Sequence, residues 1–77
     1  MTVRVEPDAV HLVGRCSAED ADDLLVALQE EPGRTVDLAA AQRLHLAVAQ
    51  VLLAARPKIS GVPASDFLAR YLLNLLQ

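Results

Sequence analysis

Apolar and polar positions along the chain change period several times. Residues 2–6 alternate, with Val3 and Val5 on one side and Arg4 and Glu6 on the other. That is the pattern of a half-buried strand. Pro7-Asp8 is a turn signal. Ala-Val-His-Leu-Val at 9–13 reads as a second strand that Gly14 ends, and the short connection between the two predicts a β-hairpin. Ser17 predicts a helix cap, with Asp20 at the third helical position, close to a capping box. Glu19, Asp20, Asp22 and Asp23 crowd the first turns, where the helix dipole favours acids. Ala21, Leu24, Leu25 and Leu28 supply one apolar face, and Pro32-Gly33 stops the helix.

Thr35-Val36-Asp37-Leu38 reads as a short buried strand. Ala39 to Arg43 reads as a loop leading into a second helix from about Leu46 to Ala55. Val48, Val51, Leu52 and Ala55 form its apolar stripe, and Arg56-Pro57 ends it. Residues 58–62 are a weak fourth strand, broken by Pro63. Ser65 predicts the cap of a third helix with Leu68, Tyr71, Leu72 and Leu75 on one face. No internal repeat, linker or low-complexity segment is visible. The expected order is β-β-α-β-α-β-α. It implies an α/β fold, one small domain over residues 1–77, with a four-stranded mixed sheet and its helices packed mainly on one face.

Composition narrows the function classes. Seventy-seven residues exclude a barrel enzyme or a full dinucleotide-binding fold. Apolar residues at 53% and charged residues at 22% describe a globular chain. Phe67 and Tyr71 are the whole aromatic content, so the core must be Leu, Val and Ala. A net charge of −3 lacks the basic footprint of a nucleic-acid binder. Cys16 stands alone, so no internal disulfide forms and a reducing compartment is expected. The first residues carry no signal-peptide core, and no apolar run reaches the roughly 18 residues of a spanning helix. A cytoplasmic protein without membrane insertion is therefore expected.

Val36-Asp37-Leu38-Ala39, followed by His45-Leu46-Ala47-Val48-Ala49 and then Val51-Leu52-Leu53, resembles the STAS domain family. Gly61-Val62-Pro63-Ala64-Ser65 and the Leu-rich segment after it resemble the branch that holds the small STAS subunit of the lipid-asymmetry ABC transporter. The family also includes bacterial anti-sigma factor antagonists. The resemblance covers nearly the whole chain and implies a non-enzymatic interaction module. Its partner would be an anti-sigma factor or kinase-type regulator, another signalling component, or an ABC-type ATPase. No cofactor is implied. The family pattern places a switch serine at the start of the second helix, preceded by an acid. A phosphate there meets free backbone N–H groups and the helix dipole. This chain carries Leu46 and Ala47 at that place and His45 before them, so the usual phosphorylation has no hydroxyl to use. The patch that the resemblance implies for the partner is Gln42, Arg43, His45, Leu46, Val48, Ala49 and Gln50.

Other candidates compete with plainer explanations. His45 is an interface imidazole or an ordinary residue of a helix cap. Leu46 is an exposed anchor or a core residue, and Arg43 an anchor or a solvated cation. Cys16 with His11 would make a small thiol enzyme, whereas a small buried thiol needs no function. No metal-ligand spacing, calcium loop or phosphate loop is present. Ser17 and Ser65 are explained by capping. The third predicted helix is apolar on more than one face, and Phe67, Leu73 and Leu76 fall off its core stripe. They are candidates for self-association, so a homodimer or a scaffold subunit is the alternative reading. A small-ligand carrier has little volume available at this length.

Overall fold

A computed structural model describes residues 2–61. The elements are β1 (Val3–Val5), β2 (Ala9–Leu12), β3 (Gly14–Cys16), α1 (Ala18–Glu30), β4 (Thr35–Asp37), β5 (Ala41–Leu44), α2 (Leu46–Ala55) and β6 (Ile59–Ser60). The four-stranded mixed sheet is present, in the order β1-β2-β4-β6. β1 and β2 are antiparallel, while β2–β4 and β4–β6 are parallel. The hairpin closes where the Glu6 N–H donates to the Ala9 carbonyl at 2.8 Å, leaving Pro7-Asp8 as a two-residue connection. Each parallel pair needs a crossover, and α1 and α2 supply them.

Two expectations are corrected here. Gly14 does not end the strand region, and residues 39–43 are not all loop. β3 and β5 pair with each other in a second, two-stranded parallel sheet. Gly14 has φ +68, a left-handed turn that redirects the chain from β2 into β3, and a Cβ there would meet nothing. The order through residue 61 is therefore β-β-β-α-β-β-α-β, with two helices among the described residues. The third predicted helix, with Ser65, Phe67, Leu68, Tyr71, Leu72, Leu73, Leu75 and Leu76, lies outside the described residues.

Alternation sorts the faces of the main sheet. Val10, Leu12, Val36 and Leu38 are fully buried, and they join Leu24 and Leu28 of α1 and Val48 and Leu52 of α2 in one core. His11 and Asp37 lie between those positions and so point to the opposite face. Among the described residues the core is built from Val, Leu and Ala with Cys16, and Phe67 and Tyr71 lie outside those residues. The core boundaries differ from the periodic pattern. Val5 is 49% exposed because β1 is a sheet edge, whereas Val3 is buried. Leu25 is 39% exposed and Ala27 takes its place on the inner face of α1. In α2 the buried residues are Val48, Ala49 and Leu52, with Ala55 exposed.

Candidate functional site

The start of α2 is held from three directions. β5 delivers the chain to His45, whose extended backbone (φ −61, ψ 150) makes it the N-cap. The Ala47 N–H donates to His45 Nδ1 at 3.0 Å, which satisfies one of the free donors of the first turn. The His45 N–H donates to the Cys16 carbonyl at 2.9 Å, so the cap is tied to the end of β3. An imidazole is an unusual cap, and it replaces the short oxygen-bearing side chains that favour this position.

Leu46, the first residue of α2, is 62% exposed. Gln42, Arg43, His45 and Gln50 of the same segment are exposed as well. Val48 and Ala49 are buried in the core, because they lie on the helix face turned to the sheet. They therefore drop out of the expected contact patch. The register between β3 and β5 sets Arg15 beside Arg43, and both are exposed. Among the described residues neither forms an ion pair. Arg15 was missed in the sequence because nothing local reveals that residues 14–16 pair with 41–44. The segment presents a large exposed apolar side chain, a capping imidazole and, on the paired strands β3 and β5, two exposed arginines. It suits docking, with Leu46 as anchor and the arginines as partners for carboxylates.

A second polar constellation lies on the face of the main sheet opposite the core of the described residues. Across β1, β2, β4 and β6 the register aligns Arg4, His11, Asp37 and Ser60. His11 Nδ1 and Asp37 Oδ2 are 2.8 Å apart, and His11 Nε2 bonds to Glu6 Oε1. The Glu6 bond, then that to Asp37, raises the His11 pKa above the ordinary 6.5. Asp37 also accepts from the Ala39 N–H at 2.9 Å. That bond, with His11 behind it, holds the Asp37 carboxyl below its ordinary value. Gly61 closes over this turn with φ +74, and a Cβ there would stand 2.5 Å from Asp37 Oδ1. His11 is thus a tie between the hairpin and β4.

Cys16 belongs to the other side of the molecule. It is buried in the core, its Sγ donating to the Thr2 carbonyl at 3.8 Å and the Val13 carbonyl at 4.0 Å. Burial first, and then the charge of Asp20, pushes the thiol pKa up. A raised pKa disfavours the thiolate that a nucleophile needs. His11 and Cys16 take different partners, so the fold does not assemble them as an acid–base pair.

Among the described residues no group of three or more His, Cys, Asp or Glu could hold a metal ion, and no helix is long and apolar enough to cross a membrane. Shallow grooves are present among the described residues. One of about 270 Å³ lies between the ends of α1 and α2, against Leu25, Leu28, Pro32, Ala55 and Pro57. Another, of about 350 Å³, runs beside β1. Comparisons with family models, with curated proteins and with solved structures return no match.

Proposed function

We propose that the chain is a non-enzymatic, STAS-like interaction module that docks a regulatory protein at the start of α2 without a phosphorylatable serine. The observation that carries the reading is the exposure of Leu46 at the first position of α2, between a capping imidazole and exposed Gln42, Arg43 and Gln50. A helix that begins in water normally opens with acids or small polar residues. An isolated leucine at that place contributes nothing to the core and suits a pocket on a partner. Arg15 and Arg43, paired on the strands that lead into the two helices, favour a partner whose pocket is rimmed by carboxylates. The motif around Val36-Asp37-Leu38 and His45 to Leu53 supplies the family, and with it the partner class: an anti-sigma factor or kinase-type regulator, a signalling component, or an ABC-type ATPase. A cytoplasmic place is part of the same proposal.

The test is the double variant H45D/L46D. Asp is a better N-cap than His, and an acid at the first helical position is favoured by the dipole, so α2 should keep its structure. Wild type and variant are used side by side to capture proteins from lysate of the source cells, with mass spectrometry and circular dichroism as readouts. One regulatory protein or ATPase retained by wild type and lost with the folded variant is the expected result. Equal capture by both would sink the reading.

A further inference from the structure

Among the described residues the outer edge of β1 is unpaired, and β2 is the strand's one neighbour in the sheet. The Val13 N–H donates to the Thr2 carbonyl and the Glu6 N–H to the Ala9 carbonyl, each at 2.8 Å. Backbone direction alternates along an antiparallel strand, so Thr2, Arg4 and Glu6 turn their groups toward β2. Val3 and Val5 then turn theirs outward. The groove of about 350 Å³ beside this edge is lined by Val3, Val5, Val26 and Ala27 together with the carboxylates Asp23 and Glu30, and Val5 is 49% and Val26 53% exposed. A strand edge with free backbone groups and exposed apolar side chains is a template for another strand.

We infer that this edge pairs with the same edge of a second copy, antiparallel about a two-fold axis at Val5. Charge selects the occupant and the register. Only outward residues can exchange backbone bonds, so a two-fold axis can sit at Val3, Arg4 or Val5. An axis at Arg4 sets two arginines directly opposite, which is destabilising. An axis at Val3 sets Arg4 opposite Thr2 and gains no ion pair. An axis at Val5 sets Arg4 opposite the partner's Glu6, and Glu6 opposite the partner's Arg4. It also brings the two Val5 side chains together, beside grooves that Val26 lines along with Asp23 and Glu30. The strand is self-complementary in this one register, as a two-fold interface requires. Pro7, the next outward position, has no N–H, so the ladder ends there. The contact is short and belongs to the weak, transient class below about 1,200 Å². Two four-stranded sheets become one continuous sheet. The start of α2 takes no part in the pairing.

Sedimentation of the full chain tests this, at concentrations from about 5 to about 500 µM, the range that resolves weak affinities. Wild type should shift toward twice its 8.3 kDa mass as concentration rises. V5K should weaken the association about tenfold or more. R4E and E6R should each be monomeric, because each sets like charges opposite across the pair. Mixed together they should associate, because opposite charges then face each other at both positions. V5K and R4E cut none of the described hydrogen bonds of β1, so they carry the test even if E6R, which breaks the His11 tie, loses its fold by circular dichroism. Wild type monomeric throughout the range overturns the inference. So does a dimer that V5K and R4E leave unchanged, which would place self-association elsewhere on the chain, and so does a folded mixture that stays monomeric.

Discussion

The described residues contain two successive units built alike: β2-β3-α1 and β4-β5-α2. In each, a strand of the main sheet runs into a strandlet and then a helix. The two strandlets pair in parallel, so the two helix starts lie side by side, joined by the His45 N–H to the Cys16 carbonyl. No repeat is visible in the sequence, because the side chains diverge. The first unit starts its helix in a polar network. Its capping box is formed by Ser17 and Asp20, with the Ser17 N–H donating to Asp20 Oδ2 at 2.7 Å and the Thr2 hydroxyl donating to Oδ1 at 2.7 Å. The second unit has no acid in its first turn, one capping bond from an imidazole, and Gln50 as its one polar residue in α2. The first helix start satisfies itself in water. The second leaves a leucine outside, which is why the candidate site is placed there.

The largest effect should fall on both units equally. Leu24 and Leu52 are fully buried in one core, so Leu24→Ala and Leu52→Ala should each cost about 2–5 kcal/mol in urea unfolding. A much smaller loss for Leu52→Ala would mean that α2 is not packed as tightly as α1. The caps should separate the units. Asp20→Ala removes bonds from Thr2 and Ser17 and should cost about 1–2 kcal/mol. His45→Ala removes one exposed bond and should cost about 0.5–1 kcal/mol.

Acid titration should distinguish them further. The Thr2 hydroxyl, more than any other group, holds the Asp20 carboxyl below its ordinary 3.8. Its contribution is present above 3.8 and is lost as pH falls through the lowered value. His11 has the opposite sign. Its raised pKa gives a contribution complete below 6.5 and lost as pH rises through the raised value. These two groups therefore favour the fold most between 3.8 and 6.5. Thermal unfolding across pH should show Asp20→Asn flattening the acid side and His11→Gln the alkaline side. An unchanged profile in either variant would remove that group's role. The smallest effect on stability should come from Leu46→Asp, within about 0.5 kcal/mol, because the side chain is outside the core. A loss of several kcal/mol would show that Leu46 packs after all and would undercut the docking site.

Local pattern alone determined much of this protein. The hairpin at Pro7-Asp8, α1 with its Ser17–Asp20 cap, the strand at 35–37 and both ends of α2 follow from turn residues, capping chemistry and apolar spacing, all interactions within a few residues. The cap position of His45 is legible in the same way. Tertiary structure decided the rest. β3 and β5 are short strands with no alternation to show, and each exists because the other lies beside it. Their pairing puts Arg15 next to Arg43 and His45 against Cys16. Val5 and Leu25 look inward by period, but lie at an edge and a flank that only packing defines. Val48 and Ala49, neighbours of Leu46 in sequence, turn to the core, because a helix separates adjacent residues onto different faces and the sheet chooses which face it covers. His11 was weighed as a partner for Cys16. β2 turns His11 away from the core while Cys16, on β3 of the other sheet, is buried in it, and the parallel register with β4 gives the imidazole to Asp37 instead.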